Sequence, residues 1–264
     1  MIEITDVNDS RIGCYRNLRS VFFPHSKNNI LLSEGSITTK KLLQSNLDVL
    51  SFFALPTFYD LFAEMFKQKN IPEESQFTAE KSIMSLIVGF RLHQGIMAIG
   101  RIPEQTALLD LKSPIVVMNG IVNSENVGAI IRNAVAFGFK SIVYDKATSS
   151  PFLRRAVRVS MGTVFSVKHF QSMNLCQDLK ELSTKSKFEI VASEITHNSI
   201  PIDRYEFKKE SVIIFGSEGT GVSKEVLSIC DKVIHIPISE NVESINVASS
   251  SAIIFNNFKK INRV

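Results

Sequence analysis

Three polar segments interrupt the apolar runs of this chain, and each carries residue types suited to holding or activating a ligand. The first is NGIVNSENVGAIIRNAVAFGF (Asn119 to Phe139), with several amides and one strong cation, Arg132. The second is SVIIFGSEGTGVSKEV (Ser211 to Val226), a glycine-rich turn that encloses a carboxylate, Glu218. The third is HIPISENVESINVASSSAIIF (His235 to Phe255), whose polar loop carries Glu240, Asn241, Glu243 and Ser244 into an apolar stretch. Gly216 to Gly221 has the GxxxxG spacing of a phosphate-binding loop, but Val222 and Ser223 stand where that motif needs Lys and Ser/Thr. Without the lysine a phosphate has no charge partner, and Glu218 would repel it. GxGxxG is absent too. Backbone amides and carbonyls plus one carboxylate suit a neutral or cationic ligand better than a pyrophosphate. Each segment also has a plain reading. Asn126 caps a helix that stops at Gly138, with Arg132 merely solvated. Glu218 is simply exposed. Ser244 caps the last helix.

The elements that must position these residues read as alternating strands and helices. In the first part, strands are expected at Asn29 to Gly35, Val49 to Leu55 and Gly95 to Arg101, with helices at Ser36 to Ser45, Phe58 to Gln68 and Thr78 to Val88. Arg101 to Pro114 contains two prolines and reads as a linker. In the second part, PIVVMNG, SIVYD, FEIVASE, SVIIFG and KVIHIPI are strand-like. Helices are expected at Asn126 to Gly138, Leu153 to Val159, Asn174 to Lys185 and Ser244 to Ile261. The last helix places Val247, Ser251, Ile254, Phe255, Phe258 and Ile261 on one face, which is either intramolecular core or a subunit contact. Such alternation predicts an α/β fold with a mostly parallel sheet, and ligands bind beyond the carboxyl ends of such strands. All three polar segments start at those ends.

The whole chain sets the bounds. It has 264 residues, 44% of them hydrophobic and 21% charged, which supports a folded core of one large or two small domains. The net charge of +4 and pI near 8.9 permit a polyanionic partner without requiring one. Cys14, Cys176 and Cys230 are odd in number, far apart and outside any CxxC, which argues against a disulfide framework or structural zinc and fits a reducing cytoplasm. The polar, acidic N-terminus is no signal peptide, and no apolar run has the length of a membrane span.

Together the segments are more specific than any one of them. NxxNVGAIxRxAxAFG, FGSEGxGVS and IPI followed by SINV, in that order, resemble the three motifs of the SpoU/TrmH branch of the SPOUT RNA methyltransferases. RRAVRVSMG (Arg154 to Gly162) is a fourth match. The resemblance covers roughly Ser113 to Val264. More weakly, LLSEGSITTKKLL (Leu31 to Leu43) and HQGIMAIGR (His93 to Arg101) resemble the small ribosomal-protein-like α/β domain that many members carry. It implies an RNA substrate-binding α/β domain over 1–104 and a methyltransferase domain over 105–264. Alternation alone would give an unknotted doubly wound sheet; the resemblance implies an α/β-knot, a deep trefoil.

Carried over by position, the resemblance implies S-adenosylmethionine as cofactor, with no metal. The cofactor would be held mainly by backbone atoms of Gly216, Gly221, Ile236, Ile238, Ile245 and Ala248, with Ser193 and Glu194 as further candidates. The polar reaction set would be Asn126, Arg132, Glu218, Ser244 and Asn246. Arg154, Arg155 and Arg158 would contact phosphates, which position RNA without reading its sequence. The partners implied are RNA, with ribosomal RNA favoured over transfer RNA, and a second copy of the chain, joined through the knot region and closing helix. The chain departs from the family pattern at Asn119 and Asn123, where acids are common, at Ser124 for proline, at Glu240 for glycine, and at Ser249 to Ser251. A guanidinium is too weak an acid to serve readily as a base near neutrality. Arg132 therefore reads as a charged donor to a developing ribose oxyanion, with phosphate, water or Glu218 as the proton acceptor. Two rivals stand beside this reading: a non-catalytic RNA-binding protein on a degenerate methyltransferase scaffold, and a nucleotide-dependent enzyme using the near-P-loop.

Overall fold

A computed structural model describes residues 1–16, 18, 28–91 and 94–262. The chain forms two compact units. One comprises Met1–Pro103 with Phe152–Phe165, the other Glu104–Pro151 with Ser166–Val264.

The first unit is built on a five-stranded mixed sheet. Its elements begin with β1 (Ile2–Glu3), β2 (Ile30–Glu34), α1 (Ser36–Gln44), β3 (Val49–Ala54) and α2 (Pro56–Lys69), and continue with β4 (Gln76–Thr78), α3 (Lys81–Val88) and β5 (Ile96–Arg101). The strand order is β1-β4-β3-β5-β2, with β5 antiparallel to both β2 and β3 and the remaining pairs parallel. The helix expected from Thr78 starts only at Lys81. Phe77 and Thr78 are buried and extended, and Phe77 pairs with Phe53, so tertiary pairing outweighs local pattern there. Of the expected HQGIMAIGR segment, His93 lies outside the described residues and Ile96–Arg101 forms β5.

The second unit begins with β6 (Ile115–Asn119), α4 (Ser124–Ala136) and β7 (Ser141–Asp145). The chain then contributes α5 (Arg154–Val159) to the first unit, where it packs on β2. It returns as β8 (Lys168–Ser172), α6 (Leu175–Ser186), β9 (Glu189–Ser193) and β10 (Ile200–Pro201). β11 (Ser211–Gly216), α7 (Lys224–Leu227), β12 (Lys232–His235) and α8 (Val247–Asn262) complete it. The seven strands run in the order β10-β12-β9-β11-β6-β7-β8, every pair parallel. The inner strands β6, β7, β9 and β11 are buried almost throughout, on both faces. That is why β6, β7, β9 and β11 read as continuous apolar runs.

Two helix starts differ from the sequence expectation. The Asn123 side chain accepts a bond from Glu125 N at 2.9 Å, so α4 begins at Ser124. Asn126 is not the cap but sits buried in the first turn, where its side chain is free for other work. The last helix begins at Val247, not at Ser244. Asn246 Oδ1 caps it, accepting from Ala248 N at 2.9 Å and Ser249 N at 3.4 Å. Its apolar stripe also resolves. Val247, Ser251, Ile254, Phe255 and Phe258 are buried within the chain, where the rings of Phe255 and Phe258 pack at a tilt against Phe139 of the α4–β7 connection. Only Ile261 of the stripe is exposed. Of the two readings of the stripe, intramolecular core is the one its burial supports.

Candidate functional site

The carboxyl ends of β9, β11 and β12 open into one cleft of about 510 Å³. The inner wall is the turn after β11. Ser217 and Gly221 pair across it, Ser217 N donating to Gly221 O at 3.1 Å and Gly221 N to Ser217 O at 2.8 Å. Glu218, Gly219 and Thr220 form its exposed tip. Glycine is required at both ends for different reasons. A Cβ on Gly216 would lie 2.1 Å from Val222 N, inside the backbone of its own turn. Gly221 adopts φ +68°, and its Cβ would lie 2.2 Å from Glu194 Oε2. That carboxylate, just past β9, accepts from Val222 N at 2.8 Å and Ile195 N at 3.0 Å. Glu194 thus acts as the brace of the turn.

Of the expected cofactor residues, Ser193, Glu194, Gly216, Gly221, Ile236, Ile238 and Ile245 all line this cleft. Ala248 does not. Its amide is taken by the Asn246 cap and its carbonyl accepts from Asn133 Nδ2 at 2.8 Å, which ties α8 to α4. The cleft is also lined by Ser217, Thr220, His235 and Ser250, which sequence reasoning missed. His235 ends β12, earlier than the KVIHIPI run suggests, and its Nδ1 lies 2.9 Å from Ser199 Oγ.

The expected reaction residues divide into two groups. Asn126, Glu218 and Asn246 form a linked chain in which Asn126 Nδ2 donates to Glu218 Oε1 and Asn126 Oδ1 accepts from Asn246 Nδ2 at 3.1 Å. Asn126 thereby joins all three motifs: the α4 helix, the glycine turn and the cap of α8. Leaving it unpaired in its buried setting would cost about 1–3 kcal/mol. Ser244 lines the cleft without belonging to that chain. Arg132 is exposed, lines no part of the cleft and has no partner among the described residues. The cause is helical geometry, since six residues on α4 turn the side chain by about 120° from Asn126 and carry it about 9 Å along the axis.

The three arginines expected to meet RNA are not equivalent. Arg154 is engaged within the first unit. It pairs with Glu34 at 2.7 Å, donates to Leu18 O at 2.9 Å and lies 4.8 Å over the Phe90 ring. Its guanidinium serves the packing of α5, which corrects its assignment as a phosphate contact. Arg155 and Arg158 are exposed. Among the described residues no cluster of three or more His, Cys, Asp or Glu could hold a metal ion, and no helix is long and apolar enough to cross a membrane.

Comparison with known proteins agrees with this geometry. A family model described as the SpoU rRNA Methylase family matches residues 113–256. An uncharacterized tRNA/rRNA methyltransferase of Mycobacterium tuberculosis is 27% identical, covering 96% of this chain and 90% of its own length. A 23S rRNA (guanosine-2′-O-)-methyltransferase RlmB of Vibrio parahaemolyticus is 30% identical over 61% of this chain and 68% of its own. Among solved structures, the AdoMet-bound rRNA methyltransferase of Sinorhizobium meliloti superposes with a TM-score of 0.82 at 18% identity, covering 98% of this chain and 97% of that one. This structural likeness shows a shared fold.

Proposed function

The chain belongs to the SpoU rRNA methylase family, and from that premise we propose that it transfers a methyl group from S-adenosylmethionine to a ribose 2′-hydroxyl of structured RNA. The enzyme is an RNA methyltransferase. The observation that carries the reading is the closed, lysine-free glycine turn whose carboxylate is joined through Asn126 to Asn246.

The cleft fits the cofactor. Its volume of about 510 Å³ lies in the range of small-molecule sites, roughly 300–1,000 Å³. The two glycines carry no side chain, so a ligand can approach the backbone of the turn closely, and Ile236, Ile238 and Ile245 add an apolar wall. Glu194 and Glu218 suit a ligand that bears positive charge. When bound, S-adenosylmethionine supplies an activated methyl on a sulfonium, whose departure leaves a neutral thioether. The protein's task is to align an acceptor oxygen and accommodate its charge. Asn126, Asn246 and Ser244 would orient the ribose at the mouth of the cleft. Arg132, a cation with no partner among the described residues, would stabilise charge on the ribose oxygen or hold a neighbouring phosphate. The proton would pass to a phosphate oxygen, to water or to Glu218. Arg155 and Arg158 would grip phosphates.

The finer points of the proposal are these. Ribosomal RNA is the favoured substrate, because relatives named for 23S rRNA methylation share about 60% of the chain. The 1–104 region serves as a ribosomal-protein-like substrate-binding domain and 105–264 as the catalytic domain. The segment after β12 threads the fold as a deep trefoil knot, and two chains associate, with the α8 contribution coming from outside its buried stripe. The protein works in the cytoplasm. Incubation with radiolabelled cofactor and RNA tests the central claim. A 2′-O-methyl removes the internal nucleophile of alkaline cleavage, so the label should appear in an alkali-resistant dinucleotide. Label in ordinary mononucleotides means base methylation and refutes the ribose reading, and no heat of binding with S-adenosylmethionine refutes the cofactor.

A further inference from the structure

Outside the lining of the cleft, one amide makes two bonds of opposite polarity. Asn119 ends β6, between β7 and β11, in register with Gly216. Its Nδ2 donates to Asp145 Oδ2, at the end of β7, at 2.8 Å. Its Oδ1 accepts from Ser223 N at 2.8 Å. Ser223 follows the turn by two residues and caps α7. Asp145 is itself fixed. Its Oδ1 accepts from Gly120 N at 3.1 Å, Thr148 N at 2.8 Å and Thr148 Oγ1 at 2.7 Å. The turn is therefore anchored on both flanks: Glu194 holds Val222 from just past β9, and Asn119, at the end of β6 and oriented by Asp145 of β7, holds Ser223.

We propose that Asn119 and Asp145 are a matched pair of positioning residues, which set the shape of the cofactor turn through Ser223. Neither lines the cleft, so they act through the turn and not on the ligand. The proposal rests on the reading of this cleft as the S-adenosylmethionine site. Polarity makes it specific. Only a side chain with a donor on one arm and an acceptor on the other satisfies both neighbours. An aspartate at 119 would still accept from Ser223 N, but would set a second carboxylate oxygen against Asp145, where the two tolerate each other only by sharing a proton. Exchanging the two residues restores the pattern: an asparagine at 145 donates to an aspartate at 119, whose other oxygen accepts from Ser223.

The test is a swap. Cofactor affinity is measured by titration calorimetry from pH 5 to 8 for wild type, Asn119→Asp, Asp145→Asn and the double exchange, alongside thermal unfolding without ligand. Asn119→Asp should weaken binding by about tenfold or more at pH 8, from loss of a charge-assisted bond. The deficit should shrink toward pH 5. The double exchange should recover most of the affinity at pH 8. The other charged groups around this region, Lys146, Glu194, Glu218, Lys224 and Glu225, are common to all four proteins, so their titration cancels in the comparison. A merely structural contribution would lower the unfolding midpoint without a pH-dependent affinity loss that the exchange repairs. Wild-type affinity in Asn119→Asp at every pH, or a double exchange no better than the single variant, overturns the pairing. A wild type that binds no cofactor overturns the proposed function and the cofactor role of the pair. Pairing itself would still be read from the unfolding midpoints, which should fall at pH 8 in Asn119→Asp and return in the exchange.

Discussion

Replacing Gly221 by alanine strikes the cofactor turn at one point, and the cost can be built from its surroundings. The residue sits at φ +68°, which an L side chain occupies at a cost of about 1–2 kcal/mol. The added Cβ would lie 2.2 Å from Glu194 Oε2, so the carboxylate must withdraw. Withdrawal breaks its bond to Val222 N, a charge-assisted contact of about 1.5–3 kcal/mol. Together these give about 2.5–5 kcal/mol, roughly a hundredfold to several thousandfold in S-adenosylmethionine affinity if the turn relaxes rather than the whole unit unfolding. Gly219, two residues earlier, is the control. It has nothing within 4 Å of its Cβ position and no left-handed backbone, so Gly219→Ala, although it too lies on the cleft wall, leaves the brace intact and should bind much more tightly than Gly221→Ala. Adding Glu194→Ala to Gly221→Ala removes the clash but not the backbone strain or the lost bond, so it should not restore affinity. Calorimetric titration of the four proteins decides the matter. Equal affinities in Gly219→Ala and Gly221→Ala would refute the braced-turn argument.

Four other outcomes follow from the same structure. Arg132→Ala should lower methyl transfer about 100- to 1,000-fold, the usual cost of an oxyanion donor, and leave cofactor affinity nearly unchanged; failure to bind cofactor would remove Arg132 from its assigned role. Asn126→Ala should lower unfolding stability by about 1–3 kcal/mol in urea titration, because Glu218 and Asn246 both lose their partner. All four tyrosines, Tyr15, Tyr59, Tyr144 and Tyr205, have their phenols pushed above the usual value of 10.0 by burial, Tyr144 to about 12. Raised folded values mean that their stabilisation is full below pH 10 and is lost as pH climbs toward them; phenolate absorbance should therefore rise together with unfolding, and titration of a folded protein near pH 10 would contradict the burial. Light scattering should give twice the 29.5 kDa chain mass at micromolar concentration, and a monomer would refute the proposed association.

What was legible in the sequence follows from how strongly each feature constrains its neighbours. β6, β7, β9 and β11 are buried on both faces, so their apolar runs announce them. The edge strand β8, KHFQS, has only His169 and Ser172 buried and carries no such signal. Cap positions slipped because Asn123 and Asn126 are equally good caps by residue type, as are Ser244 and Asn246, and only the fold selects which side chain turns back to its own helix. The candidate site was legible where residues are adjacent in sequence, as in the glycine turn. It was not legible where strands from distant parts of the chain bring groups together. Asp145 looked like the end of SIVYD and nothing more, and Asn119 like a departure from a family pattern. Each makes sense only beside the other. Arg154 failed for the same reason, since its partner Glu34 stands 120 residues earlier.

The excursion of the chain through α5 bears on how such a protein can be divided or inherited. The backbone passes between the two compact units three times, after Pro103, Pro151 and Phe165. A single cut therefore never yields two intact pieces. A fragment ending near residue 103 keeps Glu34 but loses Arg154, and the surface of β2 that α5 covers is left bare. The complementary fragment carries a helix whose Ala156 and Val157 have nothing of the first unit to bury against. Recombination at one point would strand the same helix. The two units must then be gained, lost or exchanged together, or else α5 must be rebuilt with each new neighbour, as a tether that makes the first unit answerable to the sequence of the second.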